Sequence, residues 1–258
     1  MRTPFRLAAT VLQTRFAEIV GRGKTLALCR VAPQEDGAEE SAAQRKTTRE
    51  GYAPVCWLSG PGEPLANPSV GKLTRALQNA GHTVFLETDG TLLRRRIHEL
   101  RPDARLYLTI RLYGMRESHD RRMERDDAFA LAMEGVRAAQ LSGFLVCAYI
   151  PVDGDTSLEE VKLLLAHLRK TRVEGVVIAS TNRAGAAPEE LQKKVTEARN
   201  LIGNAWWMAF SRLAERTLNT AAHPLFLGTH HRAPETSRDA EAPPVQEGAG
   251  ISEEVAVQ

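Results

Sequence analysis

The chain carries three cysteines, the residues with the widest metal and redox chemistry. They are Cys29, Cys56 and Cys147, which lie 27 and 91 positions apart. A local zinc or iron–sulfur cage needs several thiolates within a short loop, and the sequence has no CxxC or CxxxCxxC spacing. Cys56 and Cys147 lie among apolar neighbours, where a cysteine behaves as a small hydrophobe. The cysteines therefore predict neither a local metal site nor a disulfide framework.

A glycine-rich segment, Ser59–Leu65 (SGPGEPL), follows one of the apolar runs. Gly60 and Gly62 allow a sharp turn and a close approach of the backbone to a ligand, while Glu63 and Pro64 complete the motif. At the carboxyl end of a parallel strand this segment would lie where barrels place their sites. Taken alone, it is equally compatible with an ordinary strand-to-helix turn.

Further polar residues stand at or near the ends of the next two apolar runs. Thr88 and Asp89 end the first of them, and Thr109 and Arg111 belong to the second. A third group, Glu117, His119 and Asp120, follows the second run. We interpret this group as solvated charges in a loop before a helix, because no second His or Cys has metal-ligand spacing.

The elements that must position these residues alternate over residues 53–203. Short apolar runs predict strands, and amphipathic segments between them predict helices. Asn67–Pro68 and Gly81 bound one helix, and Ser157 with Glu160 forms a capping box that starts another. Because continuous apolar strands separated by helices indicate a parallel sheet covered by helices, the pattern predicts an α/β fold, a partial (βα)6 barrel with outer helices. Residues 204–226 are compatible with a helix or a strand. The predicted strands are Thr25–Cys29, Pro54–Leu58, Thr83–Glu87, Arg105–Leu112, Phe144–Ile150 and Val173–Ala179.

Composition limits the remaining possibilities. A formal charge of +2 over 258 residues lacks the basic excess of a nucleic-acid binder. The longest apolar run has nine residues, Phe144–Val152, and is too short to span a bilayer. We expect a cytoplasmic protein with residues 1–24 as an amphipathic helix, a barrel over 25–228 with 32–50 flexible, and a disordered tail over 229–258. Peripheral contact with the inner membrane face is compatible with the first segment.

The order of motifs resembles a known family. SGPGEPL, then ETDGTLL from Glu87, then GMRESHDR from Gly114 are similar to the radical S-adenosylmethionine (SAM) superfamily. They look most like its hopanoid-biosynthesis branch, which attaches an adenosyl group to a hopene lipid. The resemblance covers about residues 52–180. It implies a six-unit partial barrel and a SAM site whose contacts would be Gly60, Gly62, Glu63, Pro64, Thr88, Asp89, Thr109 and Arg111.

The chain departs from that family at its defining motif. The family has a CxxxCxxC loop after the first strand, where three cysteines bind a [4Fe–4S] cluster, whereas residues 32–50 contain no cysteine. We therefore expect no such cluster and predict a catalytically degenerate homologue that binds SAM, a hydrophobic lipid or an enzyme partner. Two alternatives stay open. One is an active radical SAM enzyme with unusual cluster ligands, and the other is a non-radical α/β barrel enzyme that uses Glu63, Glu87 and Arg111.

Overall fold

The computed structural model describes residues 27–31, 55–60, 62–181, 188–220 and 225–227. The described residues form seven strands, and each predicted strand is present with ends that differ by at most two residues. The additional strand, β7, was not predicted. The strands are β1 (Ala27–Val31), β2 (Val55–Ser59), β3 (Thr83–Thr88), β4 (Leu106–Arg111), β5 (Leu145–Val152), β6 (Gly175–Ser180) and β7 (Leu225–Leu227).

All the strand pairs of this sheet are parallel, in the spatial order β6-β5-β4-β3-β2-β1-β7. Consecutive strands from β1 to β6 are direct neighbours, which is the arrangement that repeated βα units produce. Strand β7 extends the sheet beyond β1, and its pairing places Cys29 beside Leu225. The predicted α/β partial barrel is confirmed.

Among the described residues, helices connect successive strands from β2 onward and cover the sheet. Helix α5 begins where expected, because the Ser157 side chain accepts a hydrogen bond from the Glu160 amide. The Glu160 carboxylate instead accepts from the Met115 amide at 2.9 Å, so it ties α5 to the loop after β4. Residues from 205 onward form a helix. The helices are α1 (Val70–Asn79), α2 (Leu93–Arg96), α3 (Arg116–Met123), α4 (Ala128–Leu141), α5 (Leu158–Thr171), α6 (Pro188–Asn200) and α7 (Ala205–Thr220), with 3₁₀ turns at Pro64–Ala66 and Ile97–Glu99.

The two faces of the sheet bury different side chains. Alternate residues of a strand point to opposite faces, so Cys56 and Leu58 pack into the aliphatic core beneath the helices, while Trp57 lies on the other face. There the rings of Trp57, Phe85 and Tyr107 stack with centroid distances of 5.5 and 4.8 Å. The helix-covered face holds the larger apolar core, and the aromatic face forms the inner floor of the partial barrel.

Helix α7 covers the free edge of β6. The Ile178 amide, which faces away from β5, donates a hydrogen bond of 2.9 Å to the Ser211 hydroxyl. Phe210 packs on the inner face against Phe85, and it lies so close to Gly175 that any side chain there would collide with its ring. The helix therefore occupies the position where another strand would continue the barrel.

Three expectations concern segments outside the described residues: the amphipathic helix over 1–24, the flexible segment 32–50 and the disordered tail 229–258. Within the described part of the chain, none of the helices is both long and apolar enough to cross a membrane.

Candidate functional site

Glu63 joins the glycine-rich turn to the end of β3. One carboxylate oxygen, Oε1, accepts hydrogen bonds from the Leu65 amide at 2.9 Å and the Thr88 hydroxyl at 2.6 Å. The other, Oε2, accepts from the Asp89 amide at 2.6 Å. The Thr88 hydroxyl in turn accepts from the Gly90 amide at 3.0 Å. Three of the predicted site residues, Glu63, Thr88 and Asp89, therefore form one hydrogen-bonded unit.

The protonation of Glu63 is unusual for a carboxyl group. Burial, together with the nearby Asp89 carboxylate, raises the pKa of Glu63 to about 8, and the three hydrogen bonds it accepts offset only part of that shift. Glu63 therefore exchanges its proton close to neutral pH, although a glutamate in water is ionised there.

Glu87 forms a second polar unit one layer deeper on the inner face. Its Oε1 accepts a hydrogen bond of 3.0 Å from Nη1 of Arg111, and its Oε2 accepts one of 2.9 Å from the indole of Trp57. Burial raises the pKa of Glu87, and the Arg111 guanidinium and the indole counteract that effect. The pair sits on adjacent strands, since Glu87 is opposite Thr109 in the register of β3 and β4.

Arg111 stands among three carboxylates. Burial opposes its charge, but Glu87 and, at longer range, Tyr113, Asp89 and Glu63 raise the pKa of its guanidinium above the ordinary value. The ends of β2, β3 and β4 thus gather three acidic groups around one cation. With Glu63 protonated the local balance is one negative charge, and with Glu63 ionised it is two.

Three buried polar atoms of β4 lack a hydrogen-bond partner among the described residues. They are the hydroxyls of Tyr107 and Thr109 and Nε of Arg111, whose side chains point to the same face because they are two positions apart. A buried donor without a partner costs about 1–3 kcal/mol. Such atoms in a native fold call for an explanation, and their place beside Glu87 makes a ligand a natural one.

The loop after β4 is held by side chains from two helices. Nδ1 of His119 accepts from the Tyr113 amide at 3.2 Å, and Glu160 accepts from Met115 as described above. Burial lowers the pKa of His119 to about 4, so the ring is neutral at pH 7 with its proton on Nε2. The interpretation of His119 and Asp120 as solvated charges is wrong, because both are buried within α3.

The described cysteines do not converge. Cys56 packs in the helix-covered core and Cys147 on the aromatic face, so the sheet separates the two thiols. Burial raises the pKa of Cys147 well above its ordinary value, which keeps it a thiol. Of Cys29 the structure gives the strand register, opposite Leu58. Within the part of the chain that the structure describes, no group of three or more His, Cys, Asp and Glu side chains could hold a metal ion.

The structure brings most of the predicted site residues to one edge of the sheet. Gly60 directly follows β2, Gly62 is exposed with open space where a side chain would project, and Pro64 is buried at the start of a 3₁₀ turn. Arg111 joins the group through Glu87, and Thr109 lies below it on β4. Whether these residues contact SAM stays a prediction.

Sequence reasoning missed three residues that shape the site. Trp57 precedes the glycine-rich motif by two positions and gives its indole N–H to Glu87, while His119 and Glu160 hold the loop after β4. The alternation of β2 placed Trp57 on the same face as Ser59 and could have signalled its inward orientation. The bond from Met115 to Glu160 spans 45 positions, and the burial of His119 depends on helix packing, so the sequence offers no local signal for either.

Residues 30–185 match the family model of the Radical SAM superfamily, which covers well over half of the chain. The chain belongs to the radical SAM superfamily. The glycine-rich turn, the acidic end of β3 and the polar positions of β4 all lie within the matched residues of this radical SAM protein. No curated protein sequence matches it.

Solved structures agree on the fold. SuiB of Streptococcus suis bound to the precursor peptide SuiA superposes with a TM-score of 0.54 at 10% identity, over 72% of this chain and 49% of SuiB. SuiB bound to S-adenosylmethionine gives 0.52 at 11% identity, over 72% and 47%. This radical SAM protein therefore spans about half the length of SuiB, and at such identity the likeness concerns the fold alone.

Proposed function

We propose that this radical SAM protein binds SAM at the carboxyl ends of β2, β3 and β4 but has lost the cluster-dependent radical reaction. The observation that carries the first half is the pair of buried donors, on Thr109 and Arg111, that have no partner among the described residues. They lie beside three carboxylates in a chain of the superfamily. The proposed loss of the radical reaction is supported by the positions of the cysteines.

The charges of this edge suit SAM. The ligand carries an ammonium, a sulfonium and a carboxylate, so its two cationic groups fit an environment where Glu63, Glu87 and Asp89 outnumber one arginine. Its carboxylate and ribose hydroxyls supply acceptors for the Thr109 hydroxyl and Nε of Arg111. The open space at Gly62 leaves the turn's backbone accessible.

The sulfonium of SAM makes its carbon–sulfur bonds cleavable, and the superfamily uses a [4Fe–4S] cluster to supply the electron. The residues of this chain do not fit that cluster. Residues 32–50 have no cysteine, and the thiols of Cys56 and Cys147 lie on opposite faces of the sheet. What the chain's own residues retain is the capacity to bind and orient a cationic ligand.

Calorimetric titration with SAM tests binding. We expect binding that weakens about tenfold with S-adenosylhomocysteine, which lacks the sulfonium charge, and about tenfold with Asp89→Asn. Asp103→Asn is the matched control, because Asp103 is exposed and pairs with Arg105 away from the site. Failure of the unmodified chain to bind SAM contradicts the proposal.

Anaerobic reconstitution with iron and sulfide tests the loss of radical chemistry. We expect substoichiometric iron and no 5′-deoxyadenosine after addition of dithionite. About four irons per chain, with reductive cleavage of SAM, would establish the active alternative. Substitution of each cysteine by alanine would then identify the ligands.

We infer a scaffold role for the SAM-bound chain, serving a hydrophobic lipid or an enzyme partner. The support is the resemblance of SGPGEPL, ETDGTLL and GMRESHDR to the hopanoid-biosynthesis branch. Retention of a hopene-type lipid on the immobilised chain, measured with and without SAM, tests this role. Retention that is equal on a column of unrelated protein contradicts it.

One observation favours a second candidate, a non-radical enzyme. The pKa of Glu63, raised to about 8, suits a group that takes or gives a proton near neutral pH. Mass spectrometry of SAM incubated aerobically with the chain, without reductant, tests this function. Turnover that Glu63→Gln abolishes would support it, and unchanged SAM after prolonged incubation would exclude it for this ligand.

A further inference from the structure

The surface formed by α1, α2 and the 3₁₀ turn after α2 has a marked excess of basic residues. Between residues 66 and 105 the sequence has seven Lys and Arg residues. Of the four acidic residues in the same segment, Glu87 and Asp89 are buried at the candidate site. Glu99 and Asp103 are the two that face this surface. The rest of the described chain has a near balance of charges, so the excess is local.

Ion pairs neutralise only part of this surface. Arg96 pairs with Glu99 at 2.5 Å, Arg105 with Asp103 at 3.7 Å, and Arg94 with Glu134 of α4 at 2.8 Å. Four exposed cations have no ion-pair partner among the described residues, and His98 is exposed among them. The four, called the basic surface below, are Lys72, Arg75, Arg95 and Arg101.

Packing brings together the elements that carry these cations. A side chain at Gly71 would collide with the backbone carbonyl of Glu99, so α1 lies directly against the 3₁₀ turn. Arg96 donates to the carbonyl of Ala66 at 3.1 Å, which ties α2 to the 3₁₀ turn that precedes α1. Lys72 and Arg75, three positions apart, share the exposed face of α1.

We propose that the basic surface docks on the anionic headgroups of a phospholipid bilayer. A peptide partner is usually held by side-chain pockets or by strand addition. The basic surface consists of helices, not a strand edge, and the two large apolar side chains exposed in the described chain, Leu141 and Leu163, belong to α4 and α5. A planar array of phosphates needs only complementary charge, and each basic residue near such a surface strengthens binding about fivefold. This proposal does not depend on SAM binding.

Sedimentation with vesicles tests the docking. We expect the full chain to bind vesicles containing phosphatidylglycerol, to release them at 0.5 M salt, as is typical of screened contacts, and not to bind pure phosphatidylcholine. Neutralisation of the whole basic surface should weaken binding about a hundredfold or more. That variant combines Lys72→Gln, Arg75→Gln, Arg95→Gln and Arg101→Gln.

A control with the same net charge separates local from overall electrostatics. It changes four exposed cations of other helices and should bind as the unmodified chain does. Unchanged thermal unfolding checks that both variants fold, and hydrogen exchange on vesicles should protect α1 and α2. The control variant combines Arg121→Gln, Arg137→Gln, Lys170→Gln and Lys193→Gln.

Three results would overturn the proposal. One is equal loss of binding in the control, which would mean that net charge alone decides. Another is unchanged binding in the basic-surface variant together with loss when Arg2, Arg6 and Arg15 are neutralised, which would assign the membrane contact to the N-terminal segment. The last is binding of polyglutamate or duplex DNA by a chain that ignores the vesicles.

Discussion

The carboxyl edge of the sheet has two parts that differ in how their polar atoms are satisfied. At the ends of β2 and β3, the Glu63 carboxylate already accepts three hydrogen bonds, from Leu65, Thr88 and Asp89, and only one lone-pair position, on Oε2, is left for its proton or a ligand. On β4, the Thr109 hydroxyl and Nε of Arg111 are buried donors without a partner among the described residues. The first part is built as structure, and the second is where a ligand gains most. The sequence motifs predict site residues in both parts and do not distinguish them.

The largest expected effect concerns the proton of Glu63. Its folded pKa of about 8 lies above the model-peptide value of 4.5, so the folded chain holds a proton that the unfolded chain releases. This contribution to stability is complete below pH 4.5 and is lost as the pH rises toward 8. The slope approaches about 1.4 kcal/mol per pH unit. Urea unfolding between pH 5 and 9 measures it.

Glu63→Gln removes the titration and should flatten the profile over that range, because the amide stays neutral. Glu189→Gln, on an exposed position of α6, should leave the slope as it is. Identical slopes in the unmodified chain and in Glu63→Gln would mean that Glu63 is ionised throughout and that the network of this part is weaker than described.

Arg111→Met should cost about 3 kcal/mol of unfolding free energy at pH 8, because it leaves the Glu87 carboxylate buried without its cation. The loss should shrink at pH 5, where Glu87 takes up a proton more readily. Addition of Glu87→Gln, which preserves an acceptor for Trp57, should recover most of the stability. A double variant as unstable as the single one would show that packing, not charge, sets the cost.

Thr88→Val tests the satisfied part. The hydroxyl it removes donates to Glu63 and accepts from Gly90, so two groups lose a partner and the unfolding free energy should fall by about 1–2 kcal/mol. Chemical denaturation at pH 7 is the measurement. A neutral result would mean that water replaces the hydroxyl.

Thr109→Val is the same substitution in the part with unpartnered donors, and its sign should be opposite. Removal of a buried hydroxyl without a partner should stabilise the chain by about 0.5–1 kcal/mol, while affinity for SAM should fall several-fold. If Thr109→Val lost as much stability as Thr88→Val, the Thr109 hydroxyl would have a partner, and the two parts would not differ in how their polar atoms are satisfied.

Much of the fold followed from local pattern. Six strands with a period typical of buried parallel sheets, the Ser157 cap and the Asn67–Pro68 boundary all specify their elements within a few residues of chain. Strand β7 has three residues and pairs with β1, nearly two hundred positions away. A local sequence pattern therefore could not predict it. The helix over 205–220 is recognisable only by its packing on β6.

The candidate site was predictable in its location but not in its bonding. Carboxyl ends of parallel strands meet at one edge, which brings Glu63, Asp89 and Arg111 together by topology alone. The hydrogen bonds of the Glu63 carboxylate to Thr88 and Asp89 and the burial of His119 depend on how side chains from separate elements pack together. Residues that topology brings to the same edge can therefore differ in bonding, because Glu63 is held by three donors whereas Thr109 has no partner among the described residues.

The cover that α7 lays over β6 has a consequence for association between molecules. An uncovered edge strand offers a row of amides and carbonyls to any extended chain and invites aggregation. Here Ser211 occupies the Ile178 amide, and the missing side chain of Gly175 lets Phe210 lie flat on that strand. A bulkier residue at Gly175 would displace the helix and expose the edge of β6, which could then pair with an extended chain of another molecule. Gly175 thus keeps the edge of β6 covered and protects it from pairing with another molecule.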